Sequence, residues 1–122
     1  MADIHHREGQ PAPLSITQTT VDGIRVLTVA GQIDADNVGT LREALRVEGD
    51  SASALTVLDM GAVNFMDSSA INVLIAANRD AVAAGGRLRM AALSEPVRRV
   101  VEVVGLDTII ACCPTLAEAF TI

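Results

Sequence analysis

The chain has 122 residues, a formal net charge of −6 at pH 7 and a hydrophobic share of 50%, with a mean hydropathy of +0.40. That length and apolar content suit one compact core, and the acidic balance, with no lysine and no arginine-rich run, excludes the phosphate neutralisation on which nucleic-acid binding rests. No apolar run approaches the ~20 residues that span a bilayer, and residues 1–13 are polar, unlike a signal peptide; the expectation is a cytoplasmic protein without a membrane segment, with a flexible tail over 1–13 and one domain over 14–121.

Leu14 to Thr20 and Ile24 to Ala30 read as two short strands joined at Val21-Asp22-Gly23, where the Asp-Gly pair suits a tight hairpin turn of positive φ. Past Gly31, the residues Asp34, Asp36 and Asn37 are candidate N-caps. Val38, Leu41 and Leu45 then recur at helical spacing, which predicts a first helix over roughly Asp36 to Val47, capped by Asp34 and Asp36. Ala54 to Leu58 is an almost unbroken apolar run, the pattern of a central strand covered on both faces, and a parallel neighbour is reached only through a crossover.

A long helix follows, capped by Ser68 or Asp67, with Ile71, Leu74, Ile75, Asn78 and Val82 on one stripe and Gly85-Gly86 as its left-handed stop. Arg87 to Ala92 alternates as a strand. Ser94-Glu95-Pro96 opens a third helix, which carries Val97, Val100, Val101 and Val104 up to Gly105. Thr108 to Ala111 reads as a short last strand, and Thr115 to Glu118 has the form of a capping box for a small final helix. The order ββαβαβαβα predicts an α/β fold with a mixed, mostly parallel sheet, an N-terminal β-hairpin and about four helices.

Missing residue types narrow the chemistry. Without lysine, neither a P-loop nor a Schiff base can be built, and the two histidines, His5 and His6, lie in the polar tail, which would have to fold back onto the site to serve a serine or cysteine nucleophile. No carboxylate pair stands out for acid-base work, so an enzyme is not expected, nor is a cofactor or a metal. The adjacent Cys112 and Cys113 fit neither a fold-stapling disulfide nor zinc-ligand spacing, and read as small buried apolar residues of the last strand.

Between the central strand and the long helix stands a compact acidic and hydroxylated corner, Asp67-Ser68-Ser69. Such a corner belongs at the rim of an open α/β sheet, where helix N-terminal amides favour anions. From the residues alone, Ser68 reads as an N-cap, Ser69 as helix-start structure, and Arg98 and Arg99 as a solvated face or a partner contact.

The order of elements, the Gly31-Gln32-Ile33-Asp34 turn and above all Phe65-Met66-Asp67-Ser68-Ser69-Ala70 resemble a STAS domain of the anti-sigma-factor antagonist type, from about Leu14 to Phe120. The resemblance implies a STAS-type fold and an anti-anti-sigma factor. Such a protein binds an anti-sigma factor of the GHKL serine-kinase type, frees the sigma factor, and is switched off when the kinase phosphorylates the serine matching Ser68. A PPM/PP2C-type phosphatase is the implied resetting enzyme. Asp67, Ser69 and Ala70, with Asp34, Asp36 and Asn37 on the same rim, are the implied partner contacts, Asp67 being either the helix cap or the group that positions the acceptor. The chain departs from the family pattern at Ala70 and Asn72, where glycine and a small residue are common.

Two further classes stay open on the sequence. One is a non-switching STAS scaffold, as in stressosome-like assemblies or beside a lipid-transport ATPase. The other is a receiver-like domain with Asp59 at a strand's C-terminal end as phosphate acceptor, although the receiver's lysine and acidic pair are absent.

Overall fold

The computed structural model describes residues 13–46 and 55–121. The expected tail up to Ala12, with His5 and His6, lies outside the described residues, as do Val47 and Ala54 at the predicted ends of the first helix and the central strand. The elements are β1 (Ser15–Val21), β2 (Ile24–Ile33), α1 (Val38–Ala44), β3 (Leu55–Met66), α2 (Ser68–Ala83), β4 (Arg87–Ala91), α3 (Glu95–Val104), a 3₁₀ turn (Leu106–Thr108), β5 (Ala111–Cys113) and α4 (Leu116–Ala119). The strands form one sheet in the order 1-2-3-4-5, with β1 antiparallel to β2 and every later neighbour parallel. The expected α/β order and the mixed sheet with its leading hairpin are both present.

Each element follows from its local chemistry. Asp22 and Gly23, at φ 52° and 80°, make the two-residue hairpin turn whose twist matches the flanking strands. Helix α2 ends with Gly85 at φ 88°, the Gly86 amide bonded to the Ala81 carbonyl at 2.8 Å and the Gly85 amide to Val82 at 3.0 Å, a Schellman stop. Arg25, on β2, reaches across to the last carbonyls of α1, donating to Ala44 and Arg46 at 3.2 Å each, and so holds the helix end where its dipole favours a cation.

One sheet face, through Leu27, Val29, Leu58, Met60 and Met90, packs against Leu41 of α1, Leu74 of α2 and Val97 and Val101 of α3. On the other, Leu55, Val57 and Ala91 meet Ala119 of α4. The central strand is therefore covered on both faces, as its unbroken apolar run requires.

Four expectations are corrected. The short last strand predicted over Thr108 to Ala111 is a 3₁₀ turn followed by Ala111–Cys113, because the chain turns on Leu106 and Ile110, both buried, before it can pair with β4. Val82 is 59% exposed. Seven residues beyond Leu74 a helix returns to within about 20° of the same direction and eight overshoot it, so Ala81 takes the inward position. Val104, in the last turn of α3, is also exposed, and Leu106 closes the core in its place. Finally, β3 runs far past Leu58, and Asp59, opposite Ala91, lies inside this strand instead of at its C-terminal end.

Candidate functional site

The length of β3 creates the site. Beyond Asp59, β3 loses β4 as a neighbour and continues with β2 alone, through two register shifts, to the pair Ile33↔Met66. The turns after these strand ends, Asp34–Asn37 and Asp67–Ser68, therefore stand side by side at the C-terminal rim of the sheet. The Asp67 amide donates to the Ile33 carbonyl at 3.2 Å, tying one turn to the other. A second tie comes from the loop after β4, where the Ser94 hydroxyl donates to the Val63 carbonyl at 2.6 Å instead of capping α3.

Asp67 is the N-cap of α2. Its Oδ1 accepts from the Ser69 amide at 2.9 Å, the Ala70 amide at 3.3 Å and the Ser69 hydroxyl, and its backbone is extended at φ −107°. The Ser69 hydroxyl, foremost, holds the Asp67 carboxyl below the usual carboxylate range; desolvation opposes it, and the amides of Ala70, Ser69 and Ala35 add to the lowering. It is thus ionised at neutral pH.

Ser68, in contrast, is the first helical residue. It is exposed, and its hydroxyl makes no hydrogen bond to the described residues. The reading of Ser68 as the cap is corrected here, because Asp67 already fills that role and the Ser68 side chain projects outside the cap. Of the two serines, one is occupied by a carboxylate and the other is open to solvent.

The Asp67 cap has a pH signature. Its pKa is lower folded than unfolded, so its stabilisation is complete above about pH 3.9, the ordinary aspartate value, and is lost as pH falls through the folded value. Asp67→Ala is expected to lower stability by about 1 kcal/mol at neutral pH, a gap that closes in acid. Urea unfolding of both proteins at neutral and acid pH checks this; a gap of constant size would contradict a carboxylate cap.

The other expected site residues divide. Asp34 Oδ1 accepts from the amides of Asp36 at 3.0 Å and Asn37 at 3.2 Å, while Asn37 Oδ1 accepts from the Asp34 amide and its Nδ2 donates to Gln32, both at 2.9 Å. These bonds stiffen the rim. Asp36 does not cap α1, contrary to expectation: Asn37 occupies the N-cap position and Asp36 is exposed. Ala70, also expected at the contact, has its side chain fully buried in the core beneath the rim. Arg98 and Arg99 are held by Glu95 on their own helix.

Two features escaped the sequence reading. Phe65, 45% exposed, adds an apolar surface to the rim; its signal was a large aromatic residue directly before Met66, which is buried. A groove of about 350 Å³ also runs between α1 and α2, starting at Ser69. Its walls come from elements distant in sequence, so no local motif announces it.

The cysteines are half-buried, not buried as expected. Burial first, then the negative charges of Asp107 and Glu102, pushes the Cys112 thiol up to about 11, which keeps it protonated and poorly nucleophilic. Asp59 Oδ1 accepts from the Gly61 amide at 3.2 Å. Among the described residues, no group of three or more His, Cys, Asp or Glu converges on a cation position, and no helix is long and apolar enough to cross a membrane.

Comparison with known proteins gives a consistent set. The STAS domain family matches residues 15–119. The anti-sigma-F factor antagonist RsfB of Mycobacterium tuberculosis is 34% identical over 113 residues, covering 90% of this chain and 91% of that protein. The anti-sigma-B factor antagonist of Listeria monocytogenes is 30% identical over 97 residues, covering 80% and 84%. The crystal structure of an anti-sigma factor antagonist from Mycobacterium paratuberculosis superposes with a TM-score of 0.81 at 27% identity, over 89% of this chain and 92% of that one.

Proposed function

The chain belongs to the STAS domain family, and from that premise we propose that it is an anti-sigma factor antagonist of the cytoplasm, switched by phosphorylation of Ser68. Unmodified, it binds an anti-sigma factor of the serine-kinase type through the rim built by Asp34–Asn37, Phe65 and Ser68, and so releases the sigma factor. The observation that carries this reading is the contrast between the two serines: Ser68 presents an exposed hydroxyl free of bonds to the described residues, while the hydroxyl of Ser69 is held by Asp67.

In the switching step, Ser68 Oγ attacks the γ-phosphorus of ATP on the kinase, losing its proton as ADP departs. The phosphoserine then carries about −1.5 to −2 charge beside an ionised Asp67. The amides of Ser69 and Ala70 already serve Asp67, so the phosphate is left facing outward, into the contact surface. The scaffold is retained and the complex is lost. A PP2C-type phosphatase, by hydrolysing the ester, restores the hydroxyl.

The test is competition. Each purified anti-sigma factor of the source organism is loaded with its sigma factor and titrated with this chain; release of sigma from one of them is the expected result. Failure to displace sigma from any complex overturns the reading.

A further inference from the structure

The groove between α1 and α2 carries charge out of keeping with the chain. On a protein of net charge −6, one wall holds two guanidinium groups, Arg42 on α1 and Arg46 just past its C-terminal end. Arg25 and Arg89 are spent on backbone carbonyls, and Arg98 and Arg99 on Glu95. Among the described residues the Arg42 side chain makes no ion pair or hydrogen bond, and the Arg46 guanidinium meets Glu43 alone, at 3.3 Å, a pair whose side chains are 67% and 71% exposed and which solvent screens heavily. Between the two helices lies an apolar floor of Leu45 and Val73, both buried, with Ala77 beside them. The facing wall on α2 is shallow because Asn72 and Ala76 are short; it carries one carboxylate, Asp80, toward the C-terminal end of the helix, against the two guanidinium groups opposite, and at its other end it leads to Ser69, next to the exposed Ser68.

An apolar floor beside a cationic wall selects an amphipathic acidic segment. We propose that this groove docks an acidic segment of the anti-sigma factor, with its apolar side chains on Leu45 and Val73 and its carboxylates toward Arg42 and Arg46. This deepens the reading given above and rests on it. The two arginines attract the partner and fix its register, so that the neighbouring Ser68 is presented to the kinase.

The test measures affinity for the anti-sigma factor at low and high ionic strength. Arg42→Glu/Arg46→Glu is expected to bind at least about tenfold more weakly at low salt, a difference that shrinks as salt screens it, while Arg42→Lys/Arg46→Lys stays close to wild type. Thermal unfolding of both variants checks the fold. If the double reversal unfolds, Arg42→Ala carries the same test, since its guanidinium has no partner among the described residues. Wild-type affinity in the charge-reversed protein, with Ser68→Asp still weakened, overturns the groove and leaves the switch standing. No binding by the wild type overturns both. Self-association of the wild type that the reversal abolishes would assign the groove to a second copy of the chain and overturn the proposal.

Discussion

Ser68→Asp is expected to weaken binding of the anti-sigma factor more than a hundredfold, equivalent to about 3 kcal/mol, while moving the melting temperature by no more than a few degrees. The two halves of this result have separate causes. Affinity falls because a fixed negative charge must be desolvated against the partner beside an Asp67 carboxylate that is itself held ionised. Stability barely changes because Ser68 is exposed and the helix cap belongs to Asp67. Calorimetric titration and thermal unfolding of wild type, Ser68→Ala and Ser68→Asp measure both. Equal affinities for all three would identify a non-switching scaffold instead, and a large loss of melting temperature in Ser68→Asp would mean that the serine serves the fold.

The second large effect concerns the body that carries the rim. Leu74 is fully buried on the inner face of α2, within the core shared by the sheet and three helices. Leu74→Ala removes three buried carbon atoms and leaves a cavity, at an expected cost of about 2–5 kcal/mol, or on the order of 10 °C or more in melting temperature. Arg79→Ala, exposed and one and a half turns along the same helix, is expected to change stability by less than about 0.5 kcal/mol. Chemical unfolding of both variants checks the contrast. A Leu74→Ala protein as stable as wild type would contradict the packing of α2 against the sheet.

Much of this organisation is legible in the residues. Asp22-Gly23 announces the hairpin, the run from Leu55 to Leu58 the doubly covered strand, and Gly85-Gly86 and Gly105 the ends of two helices, because in each case a local backbone or burial requirement selects the residue type. The Asp67-Ser68-Ser69 corner is visible for the same reason. What is not legible depends on tertiary neighbours. The extension of β3 to Met66 breaks the alternation expected of a strand, since it pairs with β2 alone through register shifts, and its residues read as a loop until the pairing is known. The choice between Asp67 and Ser68 as cap turns on one backbone conformation. Ser94 looks like a cap in sequence but spends its hydroxyl on Val63, 31 residues away. The Arg42 and Arg46 groove requires two helices to be set side by side before it exists.

The rim links these layers. Pairing of β2 with β3 out to Ile33 and Met66 aligns two turns, Asp67 and Asp34 stiffen them with side-chain bonds, and the Ser68 hydroxyl is left outside that network. A site made in this way can accept a charged group without rearranging. Its information lies in who can dock.

Incubation of the purified chain with the anti-sigma factor that it binds and ATP, followed by peptide mapping in a mass spectrometer, tests this most directly. One phosphoryl group on Ser68, and none on the Ser68→Ala protein, is the result predicted. Phosphate on Ser69 or Asp59, or full incorporation into Ser68→Ala, would contradict it.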